Sequence, residues 1–421
     1  MNIKLPNLEK TAVYLAYLFY ISTNSFWAYR LFHENNLFAA AASLAPIAVL
    51  LAHYINVKWR IPVNVLIVSA SIYAVIVIRS GFYPKMILFY GMCFMLLLDS
   101  QMAETPGQLK HFYYFSFLFM LGSFINLYFP GIYRRVILPA FSGSSQYNRL
   151  LEWFNRRSYL IIPGFTNQTS FNACHFVYGL GYILCKRFSY REKMRLEWVA
   201  VALLVVCLVL TNKRAHFLFM ILALAIAYYY SGETDKKGKR FAILVMVGVL
   251  SLALLLVLLP RINVGVFIKL NRTLEALESE SDADVMSGRG ELYAIAVKLF
   301  LRNPILGIGW EKFRLHPDVP GGVETHNIYL QLLCETGVIG FGIFLFFFIF
   351  ALYITVKNCR DARTAEEHHT AGFCLFMQIF FLLYGITGNP LYDPPYYVPY
   401  FLICSFSFSQ RRYILGAEYA S

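Results

Sequence analysis

Charge is scarce in this chain. Only 14% of its 421 residues are Asp, Glu, Lys or Arg, against 58% hydrophobic and 17% aromatic. Soluble domains carry about 25% charged residues, so a freely soluble globular protein is excluded. Acids are scarcer than bases, 24 against 37. Cysteine is also thin and badly spaced for chemistry. Cys93, Cys174, Cys185, Cys207, Cys334, Cys359, Cys374 and Cys404 include no CxxC pair, and none falls between Arg261 and Thr325. That argues against both a disulfide framework and a zinc site. There is no phosphate-cradling glycine loop and no internal repeat of hydropathy.

What the chain has instead is long apolar runs. Stretches of about 17–25 such residues cross the hydrocarbon core as helices, and we read about twelve of them. They are 11–29, 37–54, 62–79, 83–98, 111–128, 167–185, 196–212, 214–230, 241–259, 337–356, 371–388 and 395–410. Helix is the required form, because unpaired backbone groups in lipid cost several kcal/mol each. The fold class expected is an all-α polytopic membrane protein. The first run lacks a small-residue cleavage site and reads as a retained helix rather than a signal peptide.

The basic residues orient these spans. Lys58, Arg60, Lys186, Arg187, Arg191, Lys193, Arg195, Lys236, Lys237, Lys239, Arg240, Lys357, Arg360, Arg363, Arg411 and Arg412 fall on one side. The opposite short loops hold Arg30, Arg79, Lys85, Lys213 and Arg214. The positive-inside rule then puts both termini in the cytoplasm. The net charge of +13 is therefore a topology signal, and its short clusters between apolar spans do not suit nucleic acid.

We expect one transmembrane domain, 1–421, with two extracytoplasmic excursions, 129–168 and 260–336. The first interleaves Arg134, Arg135, Arg149, Arg156 and Arg157 with Tyr133, Tyr147, Trp153, Phe154 and Tyr159, a mix suited to a short helix in the membrane interface. The second is the one long break in hydrophobicity. It contains an acidic tract (Glu275, Glu278, Glu280, Asp282, Asp284) whose spacing is not that of a calcium loop. After it, Leu292, Ile295, Ala296, Leu299 and Phe300 recur at helical spacing. Ser287 is the expected N-cap and Asn303-Pro304 the stop.

Chemistry belongs where the chain is not lipid-facing. Arg214, in Thr211-Asn212-Lys213-Arg214-Ala215-His216, sits at the mouth of a span, where a guanidinium either snorkels to the headgroups or meets an anion. Lys213 suits snorkelling. Arg289 lies between glycines at a helix start, where free N–H groups favour an anion and the guanidinium fork can bind two phosphate oxygens. His326 precedes a helix entering the membrane, and a neutral imidazole is a credible base near neutral pH, or a structural residue. Asn327 and Glu335 are possible supporting residues, and Gly337, Gly340 and Gly342 permit close helix packing. Two arginines and a histidine on one side, with no metal cage, suit holding a diphosphate leaving group while a hydroxyl is deprotonated.

The string His326-Asn327-Ile328-Tyr329-Leu330 through Glu335-Thr336-Gly337-Val338-Ile339-Gly340 resembles the signature of the bacterial O-antigen ligase and O-antigen polymerase superfamily. Thr211–Ala215 resembles its arginine segment, and Gly288-Arg289-Gly290-Glu291-Leu292-Tyr293 resembles its arginine before an amphipathic helix. The resemblance covers the second half of the chain; the first 160 or so residues match only in hydropathy. It implies a GT-C-like membrane glycosyltransferase whose site faces the periplasm or exterior of the bacterial cytoplasmic membrane. The donor implied is an undecaprenyl-diphosphate-linked glycan, held by Arg214 and Arg289. The acceptor is a glycan or lipid A-core, whose hydroxyl His326 activates or positions. Transfer would invert the anomeric carbon with no metal or other cofactor. A chain-length regulator and a flippase of the same pathway are candidate partners, and nucleic acid is not.

The segment 163–172 looks closer to polymerases than to ligases. Two other classes compete. A lipid-linked sugar transporter would also have twelve spans, but carriers place charges at mid-membrane, and the spans here hold almost none apart from His175. A purely structural role leaves Arg214 without a purpose.

Overall fold

The computed structural model describes residues 8–56, 67, 70–76, 91, 105–144, 147–155, 162–190, 195–231, 238, 246 and 289–420. Among the described residues nearly all structure is helical, with one isolated antiparallel bridge between Ser25 and Thr166. In chain order the helices are α1 (Leu8–Ser22), α2 (Tyr29–Glu34), α3 (Asn36–Asn56), α4 (Thr105–Tyr128), α5 (Tyr147–Asn155) and α6 (Thr169–Ser189). There follow α7 (Arg195–Leu210), α8 (Arg214–Ser231), α9 (Arg289–Arg302), α10 (Ile328–Asp361), α11 (Ala365–Tyr384) and α12 (Pro394–Ala420).

Nine of the twelve expected spans overlap a described helix. The expected spans 62–79, 83–98 and 241–259 lie mostly or wholly outside the described residues, as do the acidic tract and Ser287. By length and composition three described helices can cross a membrane: Asn36–His53 within α3, α8, and α10. A fourth arises if α4 and the segment Pro130–Phe141, bent by 102° from it, count as one. The chain is thus a helical membrane protein.

The first expected span is shorter than its hydropathy suggested. α1 ends at Ser22 rather than 29, because Thr23 and Ser25 turn their hydroxyls back onto the carbonyls of Phe19 and Ile21. Such bonds compete with continued helix.

α6 is the central helix, buried on almost every side from Thr169 to Gly181 and packed against α4, α7, α8 and α11. A helix apolar all round belongs in an interior. α8 lies along α11, and α10 and α12 close the other side. The short α5 is amphipathic, with Leu150 buried and Leu151 and Phe154 against the core, as its arginine–aromatic mix led us to expect.

α9 stands apart from this bundle and docks on α10. Leu292, Ala296 and Leu299 form a small second core with Phe313, Val319 and Cys334. These are positions the helical spacing picked out, and the helix stops at Arg302, just before Asn303-Pro304.

α10 is two helices joined at a break. Gly337 has φ 64° and ψ −171°, a conformation open to glycine and strained for other residues. Across the break lies the loop after α9. A β-carbon at Gly337 would fall 2.3 Å from the Ile305 carbonyl oxygen, and one at Gly307 (φ 66°) 2.3 Å from that of Glu335. The two backbones are stitched by Ile308 N to Cys334 O (3.0 Å), Gly309 N to Glu335 O (2.8 Å) and Val338 N to Pro304 O (2.8 Å). Gly337 therefore serves a backbone crossing rather than helix packing. Gly342 has nothing within 4 Å of its β-carbon position, so packing does not require it.

Gly337→Ala adds about 1–3 kcal/mol of backbone strain on top of the collision. We expect its melting temperature in detergent to fall by at least ~3 °C. An unchanged melting temperature would show that the loop does not lie against the break.

Candidate active site

Glu335 fixes this crossing. It is fully buried, two residues before the break in α10. A buried carboxylate must be surrounded by donors, and it is. The backbone N–H groups of Glu311 and Phe313 donate to it at 2.8 and 3.0 Å. Gln331 Nε2 donates at 3.4 Å, and the Tyr392 hydroxyl donates as well. The Tyr392 ring stacks on Trp310, centroids 4.7 Å apart, and Trp310 stacks on Phe344 at 5.6 Å. One side chain thus ties the loop after α9 to α10 and to the entry of α12.

Upstream of α10, the chain makes a tight turn with His326 at its tip. Asn327 is the N-cap, accepting from Tyr329 N at 3.0 Å and Leu330 N at 3.1 Å, the geometry of a capping residue. The Thr325 hydroxyl donates to Asn327 O (2.8 Å) and accepts from Asn327 N (3.1 Å). Thr325 N donates to Gln331 Oε1 (3.1 Å), which also takes Asn389 Nδ2 at 2.6 Å. Pinned on both sides, His326 adopts φ 57° and is exposed. Left-handed backbone is uncommon for a residue other than glycine, though histidine is enriched among the exceptions. Strain held in place by its surroundings is a feature of functional sites.

Arg214 is the first residue of α8. α7 ends where Thr211 Oγ1 donates to Leu208 O at 2.6 Å, and Asn212 turns the chain with φ 57°. Arg214 and Lys213 are both half-buried. Two residues further along α8 is His216, buried, with Nε2 2.8 Å from the Tyr396 hydroxyl. The Tyr396 hydroxyl also donates to Ser170 O (2.8 Å). The His216 and Tyr384 rings are 4.5 Å apart. Arg289 opens α9 and is half-buried.

The segments that carry His326 and Arg214 meet at the C-terminal end of α11, and α9, which Arg289 opens, docks on α10. On the His326 side, Ile328 N donates to Gly385 O at 2.8 Å and Tyr329 Oη to Leu382 O at 2.7 Å. On the Arg214 side, His216 packs on Tyr384. Arg289 opens α9, whose apolar face packs with Leu330 and Cys334 of α10.

Acids that we did not single out in the sequence gather on the other flank. Glu324 accepts from Asn389 Nδ2 at 3.0 Å. Glu311, itself at φ 59°, accepts from Arg314 at 2.9 Å. Asp393 directly precedes α12. Burial pushes the Glu324 carboxyl up to about 7, with the Asn389 bond and Arg314 opposing and Glu311 adding to the rise. Burial first, and then the neighbouring Glu324, raises Asp393 well above the usual carboxylate range. The signals were present: Glu324 lies two residues before His326, and Asp393-Pro394-Pro395 is a charged, helix-breaking junction between the last two spans. No group of three or more His, Cys, Asp or Glu among the described residues is arranged to hold a metal ion, and the seven described cysteines are buried and unbridged.

The match to a protein family follows this geometry. Residues 199–345 match the O-antigen ligase family. The matched stretch is about a third of the chain and runs from α7 into α10, so it contains Arg214, Arg289, His326 and Glu335 but not Asp393. It supports the O-antigen ligase and polymerase superfamily, and with the apolar helices it marks a membrane enzyme of the O-antigen ligase or polymerase type. Lipid-linked glycans are the substrates that family implies. No curated protein matches the chain.

Glu335→Gln puts an amide N–H where every neighbour is already a donor, at a cost of about 1–3 kcal/mol. Hydrogen exchange at the Glu311 and Phe313 amides should quicken by ~10-fold or more. Exchange at the wild-type rate would show that the carboxylate does not hold this loop.

Proposed function

We propose that the chain is a metal-independent, inverting glycosyltransferase of the polymerase kind, moving an undecaprenyl-diphosphate-linked glycan onto a hydroxyl of a second glycan. The observation that supports the proposal is the meeting of the Arg214 and His326 segments at the end of α11, with α9, opened by Arg289, docked on α10. Two guanidinium groups suit a diphosphate because each can bind two oxygens at once, and their fields stabilise the charge that builds on the leaving group. His326, held outward by its turn, activates or positions the acceptor hydroxyl. Asn327 and Glu335 support it through the helix cap and the loop, and Lys213 lies at the headgroup level beside Arg214.

The acceptor oxygen attacks the anomeric carbon as the bond to the diphosphate oxygen breaks, so configuration inverts. The positive-inside pattern supports a site facing the periplasm or exterior of a bacterial cytoplasmic membrane, with both termini cytoplasmic. About twelve spans, the GT-C-like arrangement, a single membrane domain over 1–421 and the excursions 129–168 and 260–336 belong to the same proposal. So do a chain-length regulator and a flippase as partners. The character of segment 163–172 favours a polymerase over a ligase acting on lipid A-core. In the host, loss of a polymerase leaves single repeat units attached to the cell surface, whereas loss of a ligase leaves none attached and lipid-linked glycan accumulating. Electrophoresis of the surface glycan distinguishes the two.

Two substitutions test the roles. Arg289→Lys keeps the charge but not the fork, and transfer should fall by ~10-fold or more if bidentate contact matters; wild-type turnover would remove the fork from the mechanism. His326→Gly relieves a left-handed strain of order 1 kcal/mol. We expect a melting temperature equal to or above wild type together with loss of transfer. Retained transfer would take the imidazole out of the reaction.

A further inference from the structure

α9 is apolar on two opposite faces. The face made by Leu292, Ala296 and Leu299 is buried in the small second core. At about 100° per residue, Leu301 lies nearly opposite that face, with Val297 beside it. Leu301 is 68% exposed, and Val297 is exposed as well. The patch continues into the loop through Ile305, 61% exposed, and Leu306, and onto α10 through Val338 and Ile339. Backbone bonds from Val338 N to Pro304 O (2.8 Å) and from Ile339 N to Ile305 O (3.4 Å) hold the two parts side by side. Scattered exposed apolar residues need no explanation, whereas a contiguous patch marks a binding surface.

The place of the patch identifies its occupant. Further along α10 the exposed residues are Leu345, Phe346 and Ile349, in a helix long and apolar enough to cross a membrane. The roughly 20 residues from Gly337 to Val356, just ahead of Lys357, rise about 30 Å as helix, the thickness of the hydrocarbon core. With that stretch in the membrane, the crossing at Gly337 stands at the edge of the hydrocarbon, and the patch continues the lipid-facing surface of α10. Beside the apolar strip stands a basic pair. Lys298 and Arg302, about one turn apart, are both exposed and line an open groove of about 620 Å³ with Tyr293, Val297 and Leu301. Lys298 is 3.4 Å from Asp318, an exposed pair of the kind that contributes little. Glu291, exposed on the same side, lies about 10 Å back toward the start of the helix, so the last turn of α9 is basic.

We propose that this groove binds an anionic phospholipid of the adjacent leaflet, with an acyl chain along Val297, Leu301 and Ile305 and the phosphate at Lys298 and Arg302. The proposal rests on the membrane character of the chain and not on the reaction it performs. Long basic side chains suit the position, because their stems stay in the apolar layer while the charged heads reach the phosphate. Basic residues near a membrane surface draw anionic headgroups in preference to neutral ones. This lipid is a different molecule from a diphosphate carrier held at Arg289. Lys298 is about 14 Å and Arg302 about 20 Å further along the helix, too far for one diphosphate to reach both ends. The bilayer thus holds from outside the loop that Glu335 holds from within.

The test uses the full chain in nanodiscs of equal parts phosphatidylglycerol and phosphatidylcholine, with undecaprenyl diphosphate present as a minor component. Leu301 is replaced by the photoreactive residue benzoylphenylalanine, and mass spectrometry identifies what it captures. The same replacement of Phe346, mid-span on α10, is the control. Position 301 should capture phospholipid, with phosphatidylglycerol enriched over phosphatidylcholine by about 5-fold or more; position 346 should capture both at the mixing ratio. Lys298→Gln with Arg302→Gln should bring the ratio at position 301 close to one while capture itself persists. Salt at about 1 M, where charges are screened beyond about 3 Å, should do the same to the unaltered pair. Lipid capture at position 346 but none at 301 overturns the proposal. So does capture at 301 of a second copy of the chain or of undecaprenyl diphosphate instead of phospholipid, or an enrichment that survives the double substitution.

Discussion

Glu335 is fully buried, so its carboxylate has to be met by protein donors, and the donors it gathers come from three separate parts of the chain. Two are backbone N–H groups of the loop after α9, one is the amide of Gln331 on its own helix, and one is the hydroxyl of Tyr392 at the entry to α12. An unmet carboxylate at this depth would cost several kcal/mol, so the carboxylate and its donors hold together or are lost together. The polar excursion is in this way fastened to the apolar bundle. The back-to-back glycines Gly307 and Gly337 let the two backbones come close enough for it to happen.

The fastening has a consequence for charge. The segments of Arg214 and His326 reach the end of α11, while Glu324 is held by Asn389 ahead of α12 and Glu311 by Arg314 in the loop after α9. The left-handed His326 sits in a turn held by Thr325, Asn327, Gln331 and Asn389.

Much of this could be read from residue order alone. Hydropathy located the helices because a membrane leaves no other backbone solution, and the 3.6-residue spacing of Leu292, Ala296 and Leu299 located the docking face of α9. Arg214 stood out as a costly residue at the mouth of a span, Arg289 as an arginine between glycines at a helix start, and His326 as a histidine just before a helix entering the membrane. The end of α1 was misjudged because hydropathy does not register hydroxyls that bond back to the helix. Glu324 and Asp393 were missed for a different reason. Each is an ordinary acid in a polar stretch, and only the return of α12 beside the His326 turn brings them together. Gly337 was noticed as a packing glycine, but its role depends on a loop crossing that sequence spacing does not record.

The most direct test is an experimental structure of the full chain in a nanodisc with undecaprenyl diphosphate bound. The account predicts diphosphate density at the end of α11, with oxygens within hydrogen-bonding distance of both the Arg214 and Arg289 guanidinium groups and His326 opening onto the same cavity. Diphosphate density elsewhere, or the two guanidinium groups in separate cavities, would contradict it.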